Sequence, residues 1–325
     1  MTNIIKELID FGILVEPEAG KVLEDLDQQS LSIILEKCKE QRPLMLTEDI
    51  IKTYLKSTSI KIIKRFEPLK TYSVQDIVEQ LNKRYDFIQN LLMRKVELSN
   101  IVSINKCSNG KLSVIGIVKS KEKSNGNVVL ELEDKTGTLR CVVSDDIAKD
   151  IRHDDVIAVY GNYNNNLLFG EKIMYPGVPL RKVNYSDKDT KVAFIINHDF
   201  SKDMDIKADY IIIGNCDNIE KAKEKYPMSK LYSVGLKVND IDYISTPSLI
   251  EIDGIVILIL FDHDPLEVLK KRYVSIDNTD FLIDTVPDIV LTNKDINTNY
   301  KAISIIGQKS IINLKSRDVI NMTIS

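Results

Sequence analysis

The sequence predicts a multidomain protein with an N-terminal helical domain, a small five-stranded β-barrel and a C-terminal α/β domain. Two changes in the spacing of apolar residues support this division. Up to about residue 95, apolar residues recur every three or four positions, as in helices, and from about residue 100 they alternate in short runs, as in strands. Beyond about residue 190, continuous apolar runs are typical of strands buried on both faces.

Composition limits the possible function classes. The 325 residues suffice for two or three domains, and 43% apolar with 28% charged residues is ordinary for a globular protein. A net charge of −4 argues against a protein that coats DNA by bulk electrostatics, although a local basic face stays open. No apolar run reaches the roughly 18 residues of a membrane span, and the N-terminus lacks a signal peptide pattern. The four cysteines form no CxxC pair, so we expect a reducing, cytoplasmic location.

The first domain is predicted to be helical over residues 1–72. Its apolar residues fall on helical faces, interrupted by prolines. Ser73 is a suitable N-cap, and we interpret residues 73–98 as a connecting helix. Residues 56–72 would then tether the helical domain to the remainder of the chain.

The barrel is predicted over residues 99–183. Its five strands are expected at residues 112–119, 128–133, 139–143, 156–160 and 167–173. An Asn-rich turn at 164–166 would join the last two strands. This arrangement fits a five-stranded OB barrel, although another small β-barrel would give the same pattern.

The last domain is predicted over residues 190–325 as α/β material with antiparallel content. The dipeptide at Asp253 and Gly254 predicts a tight hairpin. A second hairpin-like pair is predicted between residues 301–306 and 310–314.

The order of these three domains resembles the small-subunit family of the archaeal family-D DNA polymerase and, more distantly, the B-subunits of eukaryotic replicative polymerases. The resemblance runs from about residue 75 to the end. It is carried by FIQNLLMRKVELSNIVSINK (87–106), VIGIV (114–118), LELEDKTG (130–137), GEKIMYPGVP (170–179), TPSLIEIDGIVIL (246–258) and VPDIV (286–290). It implies an OB fold followed by a shortened calcineurin-like phosphoesterase domain over 190–325.

The resemblance also implies a site where two divalent metals, such as manganese, share a bridging carboxylate and activate a water. Residues at matching positions that keep a usable polar group are His198, Asn215, Asp217 and His263. Residues that replace the expected ligands are Ile196, at the first aspartate position, and Lys294 and Ile296, at the final two histidine positions.

These replacements predict a degenerate site. A lysine ammonium has no lone pair for a cation, and isoleucine has none either. The chain has three histidines, and His153 falls in the barrel, which leaves His198 and His263 where the family pattern uses about four. We expect His198 and His263 to be hydrogen-bonded turn residues, Cys216 to be a buried thiol, and no metal cofactor to be bound.

The resemblance implies an accessory, scaffolding small subunit that supports a large catalytic subunit in DNA replication, as a heterodimer or higher assembly in the cytoplasm. It would meet DNA indirectly, touch no membrane, and leave the helical domain open to a sliding clamp or another replication factor. The chain would then be part of a DNA-directed DNA polymerase without being catalytic itself.

Two alternatives stay open. One is an active 3′→5′ exonuclease with an altered site built from His198, Asp199, Asn215, Asp217 and His263. The other is a single-stranded DNA-binding OB protein. For it, Lys119, Lys121 and Arg140 would contact phosphates, and Tyr163, with Tyr160 and Phe169 nearby, would stack on bases.

Overall fold

The computed structural model describes residues 2–26, 28–56, 60–69, 71, 73–124, 126–239 and 241–322. Its helices are α1 (Thr2–Asp10), α2 (Pro17–Asp25), α3 (Gln28–Gln41), α4 (Glu48–Lys56), α5 (Val74–Leu92), α6 (Asp145–Ala148), α7 (Ile219–Lys225) and α8 (Pro265–Lys271). None of the helices in these ranges is both long enough and apolar enough to cross a membrane.

Single strands lie among the first helices, and after α5 most strands follow one another in runs. They are β1 (Leu14–Val15), β2 (Met45–Leu46), β3 (Lys61–Arg65), β4 (Gly110–Ser124), β5 (Asn127–Asp134), β6 (Gly137–Ser144), β7 (Val156–Asn164), β8 (Leu167–Met174), β9 (Lys191–Ile196), β10 (Tyr210–Gly214), β11 (Lys230–Val234), β12 (Asp242–Ile244), β13 (Ser248–Ile252), β14 (Ile255–Leu260), β15 (Tyr273–Ile276), β16 (Thr279–Leu282), β17 (Ile289–Thr292), β18 (Asn297–Tyr300), β19 (Ile303–Ile306), β20 (Ser310–Asn313) and β21 (Val319–Asn321).

Strands β4 to β8 close into a barrel in the order β4-β5-β6-β8-β7, which confirms the predicted five-stranded barrel. Alternate residues of each strand fill its interior, as the period of two requires. Glycine is needed where β7 and β8 approach closely, because a Cβ on Gly161 would lie 2.0 Å from the carbonyl oxygen of Phe169. Asn165 and Asn166 adopt positive φ in the predicted turn between these strands.

The N-terminal helices have a core of their own. Its fully buried members are Leu8, Ile13, Ala19, Leu23, Ile34, Cys38, Leu46 and Ile51. The predicted cap at Ser73 is present: its hydroxyl accepts from the backbone N–H of Asp76, whose carboxylate accepts from the Ser73 N–H. Helix α5 ends at Leu92, earlier than the predicted 98.

Residues 61–65 form strand β3, in a part of the chain that the sequence assigned to the helical domain and its tether. This strand pairs antiparallel with β13. Ile60 and Ile62 pack against the core of the α/β region while Lys61, Ile63 and Arg65 are exposed, so a short period-two pattern decides the conformation. Other residues of the predicted 56–72 tether, namely 57–59, 70 and its boundary at 72, lie outside the described residues.

The α/β region contains two six-stranded sheets, in the orders β12-β11-β10-β9-β20-β21 and β18-β19-β17-β14-β13-β3. Buried isoleucines from both sheets, among them Ile196, Ile212, Ile257 and Ile289, share one apolar core. The hairpin at Asp253 is present between β13 and β14.

The second predicted hairpin is wrong. Strand β19 pairs with β17 and β18 in one sheet, whereas β20 pairs with β9 and β21 in the other. The intervening residues 307–309 therefore cross from sheet to sheet. Both strands place isoleucines such as Ile306 and Ile312 in an apolar core, so each can complete either sheet, and tertiary packing decides between them.

The chain forms two compact units that do not follow chain order. One comprises residues 1–66, 181–262 and 287–325, and the other comprises residues 67–180 and 263–286. The segment with α8, β15 and β16 thus belongs with the barrel. Within that unit, the buried carboxylate of Asp155 on the barrel binds Lys271 Nζ at 2.8 Å and Tyr273 Oη at 2.9 Å.

Candidate functional site

The candidate site lies where parallel strands β9 and β10 end side by side. Backbone bonds continue the pairing past the strands: the N–H of Asp217 donates to His198 O at 2.9 Å, and that of Phe200 donates to Asp217 O at 3.1 Å. The carboxyl ends of neighbouring parallel strands meet at one edge of a sheet. His198, Asp199, Asn215 and Asp217 thereby follow the ends of two adjacent strands.

A chain of side-chain amides links three loops at this edge. Asn215 Nδ2 donates to Asn197 Oδ1 at 2.5 Å, and Asn197 Nδ2 donates to Gln308 Oε1 at 3.3 Å. Neither Asn197 nor Gln308 was predicted from the sequence. The available signal is weak: Asn197 and Asn215 each follow a strand at positive φ, a position that asparagine tolerates.

Apolar side chains occupy the position of the first expected metal ligand. Ile196 is 1% exposed and belongs to the core between the two sheets. A Cβ on Gly214 would lie 2.6 Å from Ile196 Cδ1 and 2.7 Å from Phe261 Cζ, so these two side chains pack directly over the glycine. The end of β9 thus offers hydrocarbon where a carboxylate would be required.

His198 is buried. Its side chain contacts the Phe200 ring edge-on with centroids 5.1 Å apart, and Nε2 is buried without a hydrogen-bond partner among the described residues. The expectation of a hydrogen-bonded histidine is therefore wrong for this nitrogen. Burial, followed by the charge of Lys309, lowers the pKa of His198 below its usual value.

The remaining polar groups at the ends of β9 and β10 have different environments. Asp199 accepts from Ser201 Oγ at 2.7 Å and from Asn218 Nδ2 at 2.8 Å, and these bonds hold the pKa of its carboxyl far below the usual range. Burial raises the pKa of Cys216 to about 11, so it is a protonated thiol. Asp217 is exposed.

The loop after β17 carries the two other replaced positions. Lys294 is exposed and Ile296 is half-buried. The backbone of Lys294 and Ile296 packs closely on the loop that contains Gly307. A Cβ added to Gly307 would lie only 2.5 Å from Lys294 O. Asn293 exchanges two hydrogen bonds with Asp262: its Oδ1 accepts from the Asp262 N–H at 2.9 Å and its Nδ2 donates to Asp262 Oδ1 at 2.8 Å.

His263 belongs to the other compact unit. The neighbouring Asp264 accepts from the N–H groups of Leu266 and Glu267 and so caps α8. Across the described ranges, no group of three or more His, Cys, Asp or Glu side chains is placed to hold a metal ion. Ile196, Lys294 and Ile296 offer no lone pair to a cation, so these three side chains cannot serve as metal ligands.

The predicted DNA contacts lie on the barrel, and three of them have intramolecular partners. Lys121 Nζ donates to the carbonyls of Ala148 at 2.7 Å and Ile151 at 2.9 Å, and Lys119 lies 3.5 Å from Glu133. Tyr163 Oη donates to Asn166 Oδ1 at 3.0 Å. Arg140 is exposed on β6. A DNA-binding role for these residues stays a prediction.

Comparison with known proteins finds a family model for the barrel and relatives that match a longer part of the chain. A family model described as an OB-fold nucleic acid binding domain matches residues 112–172, which span barrel strands β4 to β8. The DNA polymerase II small subunit of Methanothermobacter thermautotrophicus is 26% identical over 229 residues, covering 60% of this chain and 47% of the relative. The Archaeoglobus fulgidus protein of the same name is 26% identical over 131 residues, covering 39% and 27%.

The chain is related to archaeal DNA polymerase II small subunits. The resemblance drawn from its motifs is confirmed, as is the OB fold of the barrel. The chain spans about half the length of the first relative and about a quarter of the second. Among solved structures, the S. pombe Stn1-ten1 complex aligns at 20% identity with a TM-score of 0.19, covering 20% of this chain and 56% of that one.

Proposed function

We propose that this chain is an accessory small subunit of an archaeal DNA polymerase that supports a large catalytic subunit in DNA replication. The observation that carries the proposal is the extent of the similarity to the Methanothermobacter small subunit. The alignment covers 229 residues, far more than the 61 residues matched by the OB-fold model, so the similarity cannot come from the barrel alone.

We further propose that the α/β region is a phosphoesterase-like domain that has lost its metals and serves as a scaffold. Ile196 fills the first ligand position with hydrocarbon, and the amide chain from Asn215 to Gln308 links loops that metal ligands would otherwise join. Asp262 is engaged by Asn293. A fold can persist after its site is lost when its surface is still needed.

Pairing with the catalytic subunit is tested by co-expression of the two chains followed by size-exclusion chromatography. We expect them to elute together, because obligate partners bury large apolar surfaces. A stable, monodisperse chain that never pairs with the large subunit would contradict the proposal.

The loss of the metal site is tested separately on the purified protein. Elemental analysis should find no stoichiometric manganese or iron, and manganese-dependent digestion of single-stranded DNA should not rise above background. Digestion that disappears in the Asp217→Asn variant would instead establish the exonuclease alternative, because Asp217 is an exposed carboxylate at the candidate site.

A second candidate function is single-stranded DNA binding by the barrel. The match to a nucleic-acid-binding OB model favours it. Phe169 is 48% exposed on β8, opposite Val142 of β6, and Arg140 lies on the same outward face. Binding that weakens with salt and is lost in Phe169→Ala would support this function, whereas Tyr163→Phe serves as a matched control that keeps the ring.

A further inference from the structure

The outer strands of the two six-stranded sheets differ in how they discourage pairing with another chain. Strand β3 exposes two charged residues, Lys61 and Arg65, on either side of Ile63; β18 exposes only polar residues, and β12 exposes Asp242. Charged and polar side chains are the usual protection of a sheet edge. Strand β21 carries Val319, Ile320 and Asn321, so it has no charge and is exposed along its length.

The hydrogen bonds of β21 show which backbone groups face outward. The N–H of Met322 donates to Lys309 O at 2.8 Å, and the N–H of Asn313 donates to Asp318 O at 3.0 Å. In an antiparallel pair, hydrogen-bonded and non-bonded residue pairs alternate. Asp318 and Met322 bond to β20 and its flanks, so the backbone N–H and C=O of Ile320, midway between them, also point towards β20. The backbone N–H and C=O of Val319 and Asn321 therefore point to the free edge.

The side chains add an apolar surface to this edge. Ile320 is 64% exposed and lies opposite Ile311, which packs on the core beside α7. Val319, on the other face, is 38% exposed. A strand added here would pair with the backbone groups that have no partner among residues 2–322 as described, and it would cover Ile320, which is the pattern of recognition by strand addition.

We propose that β21 is the docking edge for an extended, apolar segment of the large catalytic subunit, which adds to the sheet as a further strand. This inference rests on the proposed function. Two copies of this chain joined only at β21 would each contribute three residues to the interface. Such an interface buries far less area than the roughly 1,200 Å² of stable interfaces. A larger partner can supply the additional contacts.

The experiment distinguishes the contribution of the Val319 backbone N–H to binding from that of its side chain. Val319→Pro removes the outward N–H and leaves the bonds to β20 in place, whereas Val319→Ala keeps that N–H. We expect Val319→Pro to weaken binding of the large subunit about tenfold or more, as the loss of strand pairing predicts, and Val319→Ala to weaken it much less. Binding is measured by surface plasmon resonance with full-length chains.

A second pair of variants adds a charge to an edge without changing the backbone. Ile320→Lys should weaken binding, and Thr298→Lys on β18 should leave it unchanged. Both variants should keep the melting temperature of the wild type, because both side chains are exposed.

Equal binding by the wild type, Val319→Pro and Ile320→Lys would overturn the inference and leave the proposed function standing. Failure of the wild type to bind would overturn the proposed function. A homodimer in light scattering that Val319→Pro dissociates would assign the edge to a second copy and overturn the inference.

Discussion

Arg84 on α5 forms a two-point ion pair with Asp280 on β16. Nε donates to Oδ2 at 2.7 Å and Nη2 donates to Oδ1 at 2.5 Å, and both side chains are almost fully buried. The guanidinium also lies 4.3 Å from the centroid of the Tyr273 ring and donates to Asp154 O at 3.0 Å. The segment 263–286 is thereby fastened to the connecting helix and the barrel within one compact unit.

Removal of Arg84 should destabilise that unit strongly. Arg84→Ala leaves the carboxylate of Asp280 buried and unpaired, which costs about 3–5 kcal/mol. Hydrogen exchange of β15 and β16 in the native state should accelerate correspondingly. The double variant Arg84→Met/Asp280→Leu should recover part of the loss, because both charges are then absent. Unchanged exchange in Arg84→Ala would contradict this role.

Restoring an aspartate at the first ligand position should not restore a metal site. Ile196→Asp puts a carboxylate into the core between the sheets and should lower the free energy of unfolding by about 3–5 kcal/mol. Because Lys294 and Ile296, at the positions where the resemblance implies two further ligands, have no lone pair for a cation, elemental analysis should find no gain in manganese. Ile196→Val is the matched control and should cost only about 0.5–1.5 kcal/mol. Stoichiometric manganese in Ile196→Asp would contradict the proposed loss of the site.

Gly307 should not tolerate a side chain. The Cβ of Gly307→Ala would lie 2.5 Å from Lys294 O and 2.8 Å from Ile296 N, so the two loops must separate. We expect a loss of about 1–3 kcal/mol in denaturant unfolding. Gly137→Ala is the control, because its Cβ would meet only Ile104 Cγ2 at 3.6 Å, an ordinary contact. Equal stability of both variants would show that the loops are not packed as described.

The elements that the sequence predicted correctly are those set by local patterns. The barrel follows from alternation within each strand and from turn residues such as Asn165 and Asn166. The start of α5 follows from the Ser73 cap. Strand β3 was missed because a short run between two lysines is ambiguous until β13 lies beside it. The separation of β19 from β20 depends on packing of two sheets, which no local pattern encodes.

The candidate site could be predicted only in part for the same reason. His198, Asn215 and Asp217 follow adjacent strands, so a motif and the rule for strand ends suffice to bring them together. Gln308 joins them through a loop that crosses between sheets, and its contact with Asn197 depends on that crossing. His263 follows β14 directly along the chain, yet it belongs with the barrel unit. A linear assignment of domains could not place it there.

His198 should make the protein less stable in mild acid. Its pKa in the folded state lies below the ordinary 6.5, first because of burial and then because of Lys309. Below pH 6.5 the unfolded chain therefore binds a proton that the folded chain resists, so stability rises with pH through this window and falls as pH drops. In His198→Phe this contribution is absent, and the variant should lose less stability than the wild type between about pH 7.5 and about pH 5.

The control for this effect is His153, whose side chain is 67% exposed beside Asp154. His153→Gln should retain the acid sensitivity of the wild type, because the buried imidazole is unchanged. Denaturant unfolding at both pH values measures the difference for each variant. If His198→Phe loses as much stability in acid as the wild type, then the protonation of His198 is not opposed by the fold, and the buried, unpartnered Nε2 is not the reason for the acid sensitivity.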